Sequence, residues 1–404
     1  MNNSKFIFFA LSPTGNGLSG GDRIFIELAR EWSKVHPVEI YTTQEGVEMC
    51  KRQKLFGKYL VLKKVEKQAL PPSFFLKYIY KVYFGIRLGI LLNIQSDSRQ
   101  KVSNNNLCLY SSSDFWMDVF PAVILKIRYP KLKWVATWFM TAPNPLKGFS
   151  EGRREDRYRS SAFLYWLSQL PVKSLIKKYA DFVIVNNEDE RKRFSVMDKK
   201  GKVIVLIGAV RLEEIERYSK RKMKGDKHRV YDAVFQGRFH PQKGVVELID
   251  IWQKVVGKIP NAKLAMIGDG PLMKKVKLQI SNYKLEKNVK LFGYLFDGEK
   301  KYRIFSQSKI VVHPAFYDSG GMASAEAMAF GIPAVGFDLK AYESYYPKGM
   351  IKVKKGDLTG FANMVIELLK NIPLRDKVGR EALRMVGDDW DWKRRSEILL
   401  SKIA

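Results

Sequence analysis

The chain has 404 residues, more than one compact domain usually holds and enough for two of ordinary size. A hydrophobic fraction of 46% excludes a disordered chain, and two cysteines, Cys50 and Cys108, exclude a disulfide framework or a cysteine zinc site and are expected as free thiols in a reducing compartment. The excess of 71 Lys and Arg over 41 Asp and Glu, net +30, calls for an anionic partner, and charge alone does not choose among nucleic acid, anionic lipid and a phosphorylated substrate.

The opening "MNNSKFIFFALSPTGNG" has one Lys and then six apolar residues before Ser-Pro, too short for a signal-peptide core and without a cleavage site. It is expected as a first buried strand. No uncharged apolar run approaches the ~20 residues that span a bilayer, so the expected compartment is the cytoplasm. Further β-rich runs follow at 38–41, 59–62, 107–110, 134–137, 182–186 and 203–206. Between the opening run (6–11) and 38–41, Ile24, Leu28, Trp32 and Val35 recur at helical spacing. The second half repeats the rhythm at 232–237, 263–268, 289–293, 310–314, 334–337 and 350–353. Strands apolar throughout and joined by helices imply parallel sheets covered on both faces. Two such halves predict two doubly wound, Rossmann-like α/β domains. The seam is placed in the charged stretch "YSKRKMKGDKHRV", residues 218–230. The tail 388–403 is expected to be a final helix capped by Asp388 or Asp389 and docked through its two tryptophans.

The basic excess of the first half sits in 51–180, with 24 Lys and Arg against 7 Asp and Glu, or +17. Inside it lies "PPSFFLKYIYKVYFGIRLGILLNI" (71–94), aromatic and free of acids, with Lys77 and Lys81 on one helix face. Two readings fit this segment: a helix lying in a membrane interface, or a buried helix with its charges at the edge.

The stretch "HPAFYDSGGMASAEAMAFGIP" (313–333) stands apart, since no Lys or Arg interrupts it and two acids, Asp318 and Glu326, bracket seven residues. It runs from a strand's carboxyl end into a helix closed by Gly331, with Pro333 beyond. Free N–H groups at such a helix start favour phosphate. Gly320 and Gly321 let a ligand approach the main chain, and Glu326 can accept from a ribose diol. A second turn, "QGRFHPQKG" (236–244), places Arg238 and Lys243 where they can grip a diphosphate. A third, "IGDGP" (267–271), offers backbone to a base. The combination describes a nucleotide sugar. The plainer readings are a surface ion pair for Arg238, structural roles for His240 and His313, a solvated Glu326 and a helix-capping Asp318.

Taken together, "GRFHPQKG", "AMIGDGP" and "HPAFYDSGGMASAEAMAFGIPAV" resemble the donor-binding half of the family-4 retaining glycosyltransferases (glycosyl transferases group 1). "SGGD" (19–22) and "HPVEIYTT" (36–43) resemble that family's opening, and "WDW" (390–392) its terminal helix. The resemblance covers 231–404 well and the first 45 residues moderately, while 46–180 match only in strand rhythm. It implies the GT-B fold, two Rossmann-like domains facing a central cleft. Residues 1–217 would bind the acceptor, residues 218–387 the donor, and the helix at 388–404 would return to the first domain.

Position by position, the resemblance implies that Arg238 and Lys243 grip the donor diphosphate and stabilise the leaving nucleotide. Asp318 would stand by the transferred sugar, and Glu326 would hold the ribose. The backbone of Gly320, Gly321, Met322 and Ala323 would touch phosphate and sugar, with Gly237, Gly268, Gly270 and Pro271 lining the nucleotide. Gly20 and Gly21 would close over the diphosphate. Two departures stand out. The family usually has Glu at the position of Asp318 and Phe-Gly at that of Gly320-Gly321. Where many members carry a His after an N-terminal-domain strand, this chain has Trp138 or Phe139.

The expected function is retaining transfer of a hexose-type sugar from a UDP- or GDP-linked donor to a glycan or lipid-linked acceptor. It would take place at the cytoplasmic membrane face, with peripheral contact to anionic membrane and with neither cofactor nor metal. A sugar-nucleotide-binding protein, or an epimerase or phosphorylase on the same fold, is the alternative. A nucleic-acid partner is not expected, because no helix-turn-helix, zinc or RNA-binding signature is present and 313–333 would go unexplained.

Overall fold

The computed structural model describes residues 4–15, 17–94, 107–149, 158–219, 229–318, 320 and 322–403. The chain divides into two compact units, one of Met1–Ala142, Ala162–Ile207 and Trp392–Ala404, the other of Pro143–Ser161 and Gly208–Asp391.

The first unit is built on seven strands: β1 (Lys5–Ala10), β2 (Val38–Thr42), β3 (Leu60–Lys64), β4 (Leu107–Ser111), β5 (Lys133–Trp138), β6 (Phe182–Val185) and β7 (Val203–Val205). They pair in parallel in the order β3-β2-β1-β4-β5-β6-β7. The runs are short and apolar because both faces of the central strands are covered: β1 buries Phe6, Phe8 and Phe9, and β5 buries Trp134 and Trp138. The first helix, Gly20–Trp32, buries Ile24, Leu28 and Trp32, whereas Val35 lies beyond the Ser33 cap and is exposed.

The second unit holds β8 (Tyr231–Gln236), β9 (Leu264–Ile267), β10 (Val289–Leu291), β11 (Ser308–His313), β12 (Ala334–Phe337) and β13 (Met350–Val353). These too are all parallel, in the order β10-β9-β8-β11-β12-β13. Its core joins Phe235, Phe239 and Trp252 to Phe337 and Phe361. In each sheet the order reverses once, between β1 and β4 and between β8 and β11, so each carboxyl edge has one switch point where outgoing loops diverge and leave room for a ligand.

Two boundaries differ from the sequence expectation. The crossing that follows β7 falls between Ile207 and Gly208 rather than at 217/218, and Pro143–Ser161 also belong to the second unit. The helix Leu212–Ser219 is the reason: it buries Ile215 in the second unit and sets Tyr218 against Tyr302 at 5.3 Å. Most of the charged seam lies outside the described residues. The return crossing falls at Asp391/Trp392. Asp388 and Asp389 do not cap the last helix; they end the preceding one, Ile372–Asp389. Trp390 then stacks on Tyr346 at 5.5 Å within the second unit. The last helix, Trp392–Ile403, lies in the first unit, where Trp32 Nε1 donates to the Ser396 carbonyl at 3.3 Å.

Candidate functional site at the edge of the second sheet

Four loops leave the carboxyl edge of the second sheet, after β8, β9, β10 and β11, and their backbones are stitched together. Gly237 N–H donates to Ile267 O and Phe239 N–H to Asp269 O, while Gly268 N–H reaches Gly293 O and Phe316 N–H reaches Gln242 O. Glycine is required where loop meets loop. Gly268 has φ +144°, and a Cβ there would lie 1.9 Å from Gly237 O; at Gly244, φ +63°, one would lie 1.9 Å from Pro314 O. Gly237, Gly268 and Gly270 thus set the shape of the edge through their packing, whether or not a ligand approaches them. Pro271 beside them is exposed.

At the β8/β11 switch point stand Arg238, Lys243 and Asp318. Lys243 Nζ donates to Asp318 Oδ2 at 2.5 Å, and the same carboxylate lies 2.9 Å from His313 Nε2 and accepts from the Tyr342 hydroxyl at 3.1 Å. Burial alone would push this carboxyl up. The Lys243 charge and the His313 hydrogen bond outweigh burial and hold it well below the usual carboxylate range. Asp318 is therefore an anion held between partners from three elements. Arg238 is exposed and its side chain makes no ion pair or hydrogen bond among the described residues, so its guanidinium faces solvent ready for an anion. Between the two cations, His240 is buried and packed edge-on against Phe149 at 5.0 Å. Burial, then the charges of Arg238 and Lys243, lower its pKa to about 4, so the ring is neutral.

Glu326 belongs to a second buried pair. Its Oε2 accepts from Lys301 Nζ at 2.6 Å, and Lys301, fully buried in the first turn of the helix Glu299–Ser306, also pairs with Asp297. A buried lysine between two carboxylates is tolerated because each charge has a partner. Glu326 lies in the seven-residue helix Met322–Met328, whose first residues, Met322 and Ala323, are half-buried. Gly320 is buried, and a Cβ there would collide with the Tyr345 ring at 2.1 Å. Gly321 lies outside the described residues.

Sequence reasoning missed Lys301, Asp297 and Tyr342 and treated His313 as background. Only the i,i+4 spacing of Asp297 and Lys301 hinted at the pair.

The remaining expected site residues, Gly20 and Gly21, belong to the first unit. There Ser19 and Asp22 form a reciprocal capping box: the Ser19 hydroxyl accepts from Asp22 N–H at 3.1 Å, and Asp22 accepts from Ser19 N–H at 2.9 Å. Gly21 faces the Phe139 ring, 3.2 Å from where a Cβ would stand. Trp138, which with Phe139 stands where the resemblance leads one to expect a histidine, is buried and donates to Glu190 and Thr141, both at 3.1 Å. Near it Asp114 accepts from Gln169 Nε2 at 2.6 Å, and Asp118 accepts from Leu11 N–H at 2.6 Å and from the Ser113 hydroxyl at 2.5 Å. Burial, with the charges of Glu190 and Asp118 adding to it against the Gln169 bond, pushes Asp114 up to about 7. Burial likewise pushes Asp118 up to about 6. Among the described residues, no group of three His, Cys, Asp or Glu side chains is placed to hold a metal ion.

Residues 216–385 match the model of the family "Glycosyl transferases group 1". An uncharacterized glycosyltransferase of Methanocaldococcus jannaschii is 25% identical over 203 residues, 49% of this chain and 47% of that protein. The poly(ribitol-phosphate) alpha-N-acetylglucosaminyltransferase of Staphylococcus aureus is 30% identical over 152 residues, 36% of this chain and 29% of that protein. The chain thus spans about half the length, or less, of these curated relatives. In structure it is similar to HepE of Anabaena, solved in complex with UDP and glucose, with a TM-score of 0.67 at 14% identity over 99% of both chains. Two all-parallel sheets of seven and six strands, and this likeness along the whole chain, give the protein the GT-B fold of glycosyltransferases, with the group 1 signature in its second unit.

Proposed function

We propose that the protein is a retaining glycosyltransferase that moves a hexose-type sugar from a UDP- or GDP-linked donor to a glycan or lipid-linked acceptor, working peripherally at the cytoplasmic face of an anionic membrane. The observation that carries this reading is the β8/β11 switch point, which gathers Arg238, Lys243 and Asp318 on one loop edge. Arg238 meets the diphosphate first, being exposed and without a partner among the described residues. Lys243, already ion-paired, exchanges part of its bond to Asp318 for a phosphate oxygen. The sugar C1–O bond to the diphosphate then breaks as the two cations take up the departing charge. The acceptor oxygen bonds to C1 from the same face, and its proton passes to the leaving diphosphate. The cations do the work a metal ion would do, so metal independence is part of the proposal. Asp318, oriented by His313 and Tyr342, sits nearest the sugar, and Glu326 serves the ribose. In this scheme the backbone of Gly320 to Ala323 and the Gly268–Pro271 turn line the donor, and Gly20 and Gly21 cover it.

The test is a thermal-shift panel with UDP, GDP, ADP, CMP and dTDP. A nucleotide at about a hundred times its dissociation constant stabilises by about 2.7 kcal/mol. One nucleotide should raise the melting temperature, and Arg238→Ala should abolish that shift while leaving the unliganded melting temperature unchanged. No shift with any nucleotide would sink the donor reading. A shift without acceptor-dependent release of nucleotide diphosphate would favour a sugar-nucleotide-binding protein over a transferase.

A further inference from the structure

The helix Phe74–Leu91 in the first unit is inside out. Its buried residues are Lys81, Gly85 and Gly89. Leu76, Ile79, Tyr80, Tyr83, Ile90 and Leu91, by contrast, are between 46% and 63% exposed. These six fall at i, i+3, i+4, i+7, i+14 and i+15, one continuous stripe running roughly 20 Å or more along the axis. Arg87, at i+11 and exposed, is the one charge on that stripe.

The packing explains the inversion. A Cβ at Gly85 would stand 2.5 Å from Met117 O, and one at Gly89 would stand 3.0 Å from Pro121 Cα, so the two glycines bring this helix against the backbone of the helix Trp116–Arg128. Lys81 on the same side is neutralised: it donates to Thr14 at 2.9 Å and pairs with Glu45 at 3.0 Å, a carboxylate it shares with Lys77. Lys77 and Lys81 are thus turned inward, and while Tyr78, Val82, Phe84 and Leu88 pack partly buried against the core, the apolar residues of the stripe are left outside. Trp116 of that neighbouring helix packs on Tyr78 at 6.1 Å and donates to the Leu170 carbonyl, and Phe163 and Trp166 of the helix Arg159–Ser168 are exposed as well.

We infer that this face is a membrane-docking surface whose occupant is an anionic lipid bilayer, with the helix lying in the plane of the interface. The inference deepens the peripheral-membrane half of the proposed function and rests on that half alone. Charge complementarity selects the occupant. Residues 51–180, which include this helix, hold 24 Lys and Arg against 7 Asp and Glu. A second copy docked face to face would bring two such fields together, whereas an anionic leaflet neutralises them. Tyrosines at the stripe's centre suit the headgroup level, where a ring sits in the apolar region and its hydroxyl in water. No helix among the described residues is long and apolar enough to cross a membrane, so the contact is one of lying on the surface.

The experiment is flotation of the whole chain with phosphatidylcholine vesicles, with and without phosphatidylglycerol, in the absence of donor and acceptor. Wild type should float with the phosphatidylglycerol vesicles, and rising salt should weaken the binding. Ile79→Ser/Tyr83→Ser/Ile90→Ser should bind about tenfold or more weakly with an unchanged circular-dichroism melt, and Arg87→Glu should bind severalfold more weakly. Flotation of the triple variant equal to wild type would overturn the inference. So would equal binding to neutral vesicles, no flotation at all, or a dimer in equilibrium sedimentation that the triple variant abolishes. Because no nucleotide is present, a failed nucleotide panel and a failed flotation are separate results.

Discussion

The carboxyl edges of the two sheets treat buried carboxylates in opposite ways. In the second unit each acid of the 313–333 stretch is matched to a lysine, Asp318 to Lys243 and Glu326 to Lys301. In the first unit Asp114 and Asp118 are buried, more so than Asp318, and their partners are an amide, hydroxyls and a backbone N–H. With a cation at hand the carboxyl stays ionised; with neutral donors alone, burial dominates and drives it toward the protonated form. The same fold element, a parallel sheet's switch point, therefore yields a fixed array of charge in one unit and acids close to neutrality in the other. An edge that must receive a diphosphate needs the first arrangement, because its cations must be charged and in place before the anion arrives.

Three substitutions test that contrast. Lys301→Met should have the largest effect, since it removes the buried cation that pairs with both Glu326 and Asp297; a loss of about 3–5 kcal/mol is expected by urea denaturation. The same change made in a Glu326→Gln background should cost at least about 1 kcal/mol less, the sign of direct coupling. Asp318→Asn comes next, at about 1–3 kcal/mol, because it leaves Lys243 without its anion. Asp318's folded pKa is depressed, so its contribution is fully present above the unfolded value of about 3.9 and is lost only in stronger acid. The cost of the substitution should hence be flat between pH 5 and pH 8.

The identical change at Asp114 should act with the opposite sign and be the smallest of the three. Asp114's folded pKa is raised to about 7. The penalty for its ionised form is therefore absent below about pH 4 and grows to its full value as the pH rises past the folded pKa. Asp114→Asn keeps an oxygen for Gln169 and should stabilise by about 1 kcal/mol at pH 8, a rise of roughly 2–4 °C in melting temperature, with little gain at pH 5. Equal effects of the two Asp→Asn changes at pH 8 would dissolve the distinction between the edges.

The thirteen strands of the described residues were legible as short apolar runs, because the central strands of a doubly covered parallel sheet are hydrophobic on both faces. The loops that carry Arg238, Lys243 and Asp318 were legible too, since their residue types and their places at strand ends are local properties. The pairing of Lys301 with Glu326 was not, because the two lie 25 residues apart and meet only once the strand between them is in place. The capping reading of Asp388 and Asp389 failed for a related reason: the preceding helix continues through them, and nothing in the tail alone says so.

The sharpest division falls on the helix Phe74–Leu91. Its sequence determined that it would be an aromatic, acid-free helix, and both a buried and an interfacial orientation suited that composition. Which face turned outward was decided by the tertiary structure. Gly85 and Gly89 permit backbone-close packing on one side only, and Glu45, 36 residues before Lys81, supplies the charge that lets a lysine go in with them. Composition and period determine what an element is. Its orientation depends on contacts with residues distant in the chain, and those exist only after folding.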